Sequence, residues 1–189
     1  MFARTPRLLL RPGWPEDTDA LHHAINDEAI VRNLASVPWP YSREDAEEFL
    51  SQSQDIQIPR WLIYRRTIGM PCLIGTCGLD WNQDDEVELG YWIGRDHWGL
   101  GYATEASRAV LETAKALGHR EIVASHFIDN PASGKVLAKL GFRQTGRTLS
   151  RFSEARGASV RAVELRLTLE NELCKDSNAE SDDMRALAA

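Results

Sequence analysis

The sequence predicts a single α+β domain built on a mostly antiparallel sheet. Three observations carry this. Apolar strand runs follow one another across short polar turns between Arg60 and Gly94. One long helical pattern separates the third of these runs from a further apolar run, Glu121 to Ile128. No composition break divides the chain before Leu169. With 189 residues, 43% of them hydrophobic, the chain has material for one full core.

The elements follow in order. "RLLLRP" (Arg7 to Pro12) reads as a short strand. In "WPEDTDALHHAIND", Ala20, Leu21, Ala24 and Ile25 hold helical spacing behind acids that suit a helix start. "DEAIVRNL" reads as a second short helix, and "VPWPYS" (Val37 to Ser42) as a loop, because two prolines flank an aromatic. Ser42 and Asp45 form a capping-box pattern ahead of a helix with Ala46, Phe49 and Leu50 on its apolar stripe. Arg60–Arg66 and Met70–Trp81 are strands joined by a turn at Gly69, and the polar "NQDD" leads into a third, Glu86 to Gly94. After Gly101, residues Ala103, Ala106, Val110, Ala114 and Leu117 keep helical spacing until Gly118 ends it. Glu121 to Ile128 is an apolar strand. "PASGKVLAKLGF" is a helix with Pro131 in its first turn and Gly141 at its end, and "FRQTGR" and "SVRAVELRLTL" close the domain as strands. The long helix is a crossover, so the strands on either side of it run parallel as neighbours or near-neighbours.

The formal net charge is −6, unevenly spread. Residues 170–189 hold six acids against Lys175 and Arg185, a net −4 that leaves −2 for the body. A near-neutral body argues against a nucleic-acid binder, which would need a basic face. The acidic tail reads as a solvated, disordered end. Three cysteines without CxxC spacing, and the adjacent His22 and His23, which diverge on a helix, argue against a disulfide scaffold or a metal site. No apolar run approaches a membrane span, and "MFARTPRLLLRP" is not a secretory signal, so the chain reads as cytosolic.

Two stretches carry chemistry. In "YWIGRDHWGLGYATEA" (Tyr91 to Ala106), a strand runs through Gly99 and Gly101 into a helix. Unpaired N–H groups at a helix start, approached through glycines, make an anion site suited to phosphate or pyrophosphate. Gly99, Leu100, Gly101, Tyr102, Ala103 and Thr104 would supply those donors, although a Gly-x-Gly pair also ends many ordinary strands. A Walker loop is absent, and Thr104 stands where a dinucleotide fingerprint needs Gly or Ala. In "IDNPASGKVLAKLGF", Asn130 and Ser133 sit at a second helix start, as simple caps or as ligand groups. The ligand reading requires both helix starts to face one cleft, which the crossover allows.

Together these stretches resemble the GNAT superfamily of acetyl-CoA-dependent N-acetyltransferases, over roughly residues 5 to 169. Gly101 and Ala103 take the glycine and small-residue places of its [QR]xxGx[GA] motif. Trp98 stands where Gln or Arg is usual. That departure, with "TPRLLLRP" and "PWPYSREDAEEFL", resembles the branch of the ribosomal-protein N-terminal acetyltransferases RimJ and RimL. The resemblance implies a sheet that splays open around acetyl-CoA, used as a cosubstrate without a metal. It puts pyrophosphate at the 99–104 turn, the pantetheine arm along the backbone of Tyr91, Trp92 and Ile93, and Asn130 against that arm. Lys135 and Arg143 are expected near the phosphates.

In this family the amine attacks the thioester directly. Glu86, Glu88 and Gly90 share one strand face, opposite Val87, Leu89 and Tyr91. Glu88 is the expected base, Glu86 an exposed acid, and a backbone N–H near Tyr91, at a bulge, the donor to the carbonyl. Many relatives use a tyrosine of the second helix as proton donor to the thiolate; none lies between Asn130 and Phe142, so Ser133 is the remaining side-chain candidate, with a protonated amine product, water, or no acid at all as the alternatives. Trp39 and Tyr41 are expected in the acceptor pocket, with Trp14 as a further contributor. The expected acceptor is the α-amino group of a protein or peptide, taken up by a monomer or homodimer with no membrane or nucleic-acid partner. A small amine is the alternative acceptor: Asp84, Asp85 and Glu86 keep a polycation open. A CoA-binding module without turnover is a further alternative, which the presence of Glu88 disfavours.

Overall fold

The computed structural model describes residues 1–53 and 55–169; the acidic tail lies outside the described residues. Eight strands form one sheet in the order β1-β2-β3-β4-β5-β6-β8-β7. They are β1 (Ala3–Arg4), β2 (Leu8–Arg11), β3 (Arg60–Arg65), β4 (Cys72–Trp81), β5 (Val87–Ile93), β6 (Glu121–Phe127), β7 (Arg143–Ser153) and β8 (Ala158–Thr168). The helices are α1 (Thr18–Ile25), α2 (Glu28–Val31), α3 (Arg43–Ser51), α4 (Tyr102–Ala116) and α5 (Pro131–Lys139).

The local reasons are those the sequence offers. Ser42 caps α3 by accepting from the Asp45 N–H, and Asp45 accepts from the Ser42 N–H at 2.7 Å in return. Asn130 caps α5, and Pro131 occupies its first position. Gly69, Gly118 and Gly141 take left-handed backbone where the chain turns. Three features differ from expectation. A two-residue strand, β1, precedes the first predicted one. Helix α1 starts at Thr18 because the Asp17 carboxylate accepts the Trp14 N–H at 2.8 Å, closing a 3-10 turn over Pro15–Asp17. Strand β7 runs on to Ser153 as the sheet's outer edge. Its mostly exposed residues show none of the apolar alternation that marks a half-buried strand.

Each face of the sheet has its own core. Tyr102, Ala106, Val110 and Ala114 of α4 pack with Leu137 of α5 against Leu8, Ile63, Ile74, Val87 and Leu89. On the other face Leu21, Ile25, Val31 and Ala46 of α1–α3 pack against Leu62, Leu73 and Trp92. Each fully buried aliphatic side chain contributes about 1.5–3 kcal/mol.

Between β5 and β6 the sheet comes apart. The two strands run parallel, as the crossover requires, but share one register pair, Glu88 with Val123. Beside them, β4–β5 and β6–β8 each hold seven pairs. Beyond Glu88 the facing edges of β5 and β6 are open.

Two carboxylates tie the N-terminal region to this frame. Asp17 accepts both Arg11 guanidinium nitrogens (2.6 and 2.7 Å) and the Tyr64 hydroxyl. Glu105 accepts from Thr5 Oγ1 (2.6 Å), the Arg7 N–H (2.9 Å) and Arg7 Nε (2.6 Å). Burial pushes both carboxyls up, but these donors outweigh it and hold each below its ordinary value. A depressed carboxyl contributes stability that is fully present above its unfolded pKa of about 4 and is lost as pH falls through its folded value. Asp17→Asn is expected to cost about 3 kcal/mol at pH 7, because it leaves Arg11 buried without its partner. It is also expected to weaken the acid dependence of stability below pH 4, as urea unfolding across pH would measure.

Candidate active site

The open edge of β5 leads directly into the glycine turn. Gly99 (φ +73°) and Gly101 (φ +81°) both take left-handed backbone, which costs other L-residues about 1–2 kcal/mol. Gly101 is the N-cap of α4 and offers no capping side chain. The first amide to find an acceptor in the helix is Glu105, bonded to the Gly101 carbonyl at 3.1 Å. The N–H groups of 101–104 have none within the helix. Arg7 braces the turn from behind: Nη1 donates to the Leu100 carbonyl at 2.9 Å, and the guanidinium lies 4.4 Å from the Tyr102 ring centroid. Trp98 closes the end of β5, its Nε1 donating to the Ile93 carbonyl at 2.6 Å.

The turn opens into a cleft of about 1140 Å³ that runs from α3 and the 33–41 segment, past β4 and β5, to the starts of α4 and α5. Residues 91–93, Trp98, Gly99 and 101–104 wall it on one side, with Asn130, Ser133 and Lys135 from α5 and its cap, and Tyr41 at the far end. Both helix starts therefore face one cleft. Asn130 does serve as a cap, its Oδ1 accepting the Ser133 N–H at 3.3 Å.

Several expected residues lie elsewhere. The Leu100 side chain is 53% exposed and lies outside the wall, and its carbonyl is bound by Arg7; the contribution expected of it is its backbone N–H, not its side chain. Trp39 is also outside the wall; its neighbours Val37 and Pro38 line the cleft instead. Trp14 stays at the surface, with the Arg11 guanidinium 3.9 Å from its ring centroid. Arg143 lies exposed on β7, across from Arg166 on β8. Asp84 and Asp85 occupy the exposed turn before β5. Glu86 is not a free surface acid: Arg166 binds it at 2.6 Å and holds its carboxyl below the usual range. The pairing of β4 with β5 is continuous, so no bulge sits at Tyr91; a donor there would come from the open edge of β5.

Glu88 lies in the throat of the opening. Its Oε1 accepts from Ser125 Oγ (3.0 Å) and from Arg151, while Oε2 makes no hydrogen bond among the described residues. The side chain is 16% exposed. On the other face of β5, the Tyr91 hydroxyl lies 2.8 Å from Ser133 Oγ and 3.2 Å from the Ser133 carbonyl oxygen. Burial pushes the Tyr91 hydroxyl up to about 12, against a smaller downward pull from Ser133. The neighbouring His126 has Nδ1 2.9 Å from the Phe127 carbonyl, which can only accept, so Nδ1 carries the proton. Its Nε2 abuts Gly134, where a Cβ would fall 2.7 Å away, so the glycine is what lets α5 lie this close to β6.

Ser125, His126 and Arg151 all line the cleft, and sequence reasoning missed them. For the first two a signal existed: after Glu121 they are the polar residues in the apolar run "EIVASHFI". Arg151 reaches Glu88 from β7, 63 residues away in sequence, and had no local signal. Among the described residues no cluster of His, Cys, Asp and Glu has the arrangement of a metal site.

A family profile described as an acetyltransferase (GNAT) domain matches residues 7–143. The uncharacterized N-acetyltransferase YoaA of Bacillus subtilis is 33% identical over 150 residues, which span 75% of this chain and 82% of that protein. Among solved structures, the RimL ribosomal alpha-N-protein acetyltransferase in complex with coenzyme A superposes with a TM-score of 0.74 at 18% identity, over 89% of this chain and 98% of that one. Spermidine N-acetyltransferase from Vibrio cholerae, in complex with CoA and spermine, does so with 0.71 at 20% identity, over 87% and 96%. The profile match spans the splayed strands and both helix starts, and with it the chain takes its place in the GNAT family as an acetyl-CoA-dependent acetyltransferase.

Proposed function

We propose that the acetyl acceptor is the α-amino group of a protein or peptide N-terminus, and that this amine attacks the thioester directly with both substrates bound. The observation that carries the mechanism is the throat of the splayed sheet, where one carboxylate oxygen of Glu88 is held by Arg151 and Ser125 and the other has no hydrogen-bond partner among the described residues. An attacking amine must be neutral, and Glu88 Oε2 is the acceptor for its proton, directly or through one water. The 99–104 turn and Lys135 suit the pyrophosphate of acetyl-CoA, and Ser133, across β5 from Glu88, supplies the proton to the departing thiolate. A cytoplasmic reaction is part of this proposal, since acetyl-CoA and protein N-termini are both available there. No helix among the described residues is long and apolar enough to cross a membrane.

Charge in the cleft supports a singly charged acceptor. Asp45, Glu48, Asp80 and Glu88 line it, and so do Arg60, Lys135, Lys139 and Arg151. With Lys135 assigned to the pyrophosphate, four acids face three bases, an excess of one that matches a single ammonium better than a polycation. The observation favouring a small polyamine is that Glu48 and Asp80 make no ion pair among the described residues. Thiol release from acetyl-CoA, assayed against peptides with free and blocked N-termini and against spermidine, separates the two. Turnover of free N-termini alone supports the proposal, and turnover of spermidine alone overturns it.

Two substitutions test the parts. Gly101→Ala is expected to cost about 1–2 kcal/mol in stability, through left-handed strain. Gly101→Glu is expected to cost the same and also to abolish acetyl-CoA binding in calorimetry, because it puts an anion where phosphate sits. Glu88→Gln is expected to keep acetyl-CoA affinity, lower kcat about a hundredfold and flatten the rise of rate with pH. An unchanged pH profile would remove Glu88 from the base role.

A further inference from the structure

We infer that Tyr91 is a positioning residue for the leaving-group side of the reaction, acting through its hydroxyl on Ser133. The inference rests on Ser133 as the proton donor to the thiolate. Residue 91 comes from the strand on which Glu88 sits, but alternation turns its side chain to the opposite face, toward α5. There its hydroxyl lies 2.8 Å from Ser133 Oγ. Both residues line the cleft beside the 99–104 turn.

A serine hydroxyl is a weak acid and a free rotor. Alone, it has neither the acidity nor the orientation to protonate a thiolate promptly. The Tyr91 hydroxyl lies within reach of both Ser133 oxygens, Oγ at 2.8 Å and the carbonyl at 3.2 Å; in the arrangement inferred here its one hydrogen goes to the nearer Oγ, which leaves the single hydrogen of Ser133 to point away from Tyr91 and toward the cleft. As Ser133 gives up that hydrogen, the charge growing on its oxygen is met by a donor already in place. Burial supports this assignment: it disfavours tyrosinate, so Tyr91 remains a donor across the working pH range. In the balanced step, the amine nitrogen bonds to the carbonyl carbon and the carbon–sulfur bond breaks. The sulfur takes the Ser133 proton, the nitrogen releases its own to Glu88 or solvent, and Ser133 is reprotonated from solvent.

The test is acetyl transfer to hydroxylamine, a small nucleophile that is neutral at pH 7 and requires neither the acceptor pocket nor Glu88. Wild type, Tyr91→Phe, Ser133→Ala and the double variant are compared, with folding and acetyl-CoA affinity measured on each. Tyr91→Phe keeps the buried ring, and Ser133→Ala breaks the same pair from its other side. Tyr91→Phe is expected to lower kcat about tenfold, the size of one hydrogen bond to a developing charge, with KM for acetyl-CoA within twofold. In the Ser133→Ala background it is expected to have no further effect. With acetyl-seleno-CoA, whose selenolate leaves without a proton, the Tyr91→Phe defect is expected to vanish. A defect of equal size with both donors would make Tyr91 a packing residue and overturn the inference, as would a Tyr91→Phe enzyme as fast as wild type. Unchanged activity in Ser133→Ala would instead remove the reading on which it rests, and Tyr91's role with it.

Discussion

Strands β5 and β6 meet at one residue pair and then separate, and the site follows from that separation. A parallel connection cannot be a hairpin, so the chain leaves β5, crosses through α4 and returns along β6. With α4 packed beneath β4 and β5, the open edges beyond Glu88 are available to a ligand. Because both strands run the same way, the segments after them emerge at the same end. One is the glycine turn into α4 and the other the Asn130 cap of α5. Two positively polarised helix starts and two unpaired strand edges thus face one another, an arrangement that topology dictates before any side chain is chosen.

The N-terminal segment maintains the electrostatics of that opening. Glu105 lies in the first turn of α4, where a carboxylate steadies the helix but offsets the positive end that an anion would use. Arg7 resolves the conflict. It binds Glu105, stacks on Tyr102 and takes the Leu100 carbonyl. The carboxylate is neutralised by its partly exposed partner, and the Leu100 carbonyl, which would oppose an anion, is engaged by the same guanidinium. The same contacts fasten β1 and β2 to α4, so the strength of the N-terminal tether and the charge of the anion turn are set by one guanidinium.

What could be read in the sequence is what local chemistry fixes. The capping box at Ser42, the cap at Asn130, the glycine turn and the parallel crossover each follow from neighbouring residues, and each is present. The direction of single side chains was less legible. Trp39 belongs to the right segment, yet its side chain is outside the cleft wall that its neighbours Val37 and Pro38 line, a choice among adjacent residues that the loop's composition does not encode. Arg151 was out of reach because its partner lies 63 residues away. Strand β7 was read too short because an edge strand with few buried side chains carries no period-two signal.

Alternation along β5 is also what lets one strand serve both ends of the proposed reaction. Glu88 and Tyr91 are three residues apart, an odd spacing that puts them on opposite faces. Glu88 faces the side where Ser125 and Arg151 hold it, and Tyr91 faces α5 and Ser133. An even spacing would put both on one side of the bond being broken. Direct transfer requires the opposite: the nucleophile loses a proton on one side of the carbonyl while the thiolate gains one on the other. Glu88 also marks the last residue at which β5 is held by β6, so it sits at the vertex of the opening, while Tyr91 lies on the free edge beyond it. The strand therefore ends its pairing between the two side chains proposed to act, and the proposal puts the reacting bond where backbone support stops and access for two substrates begins.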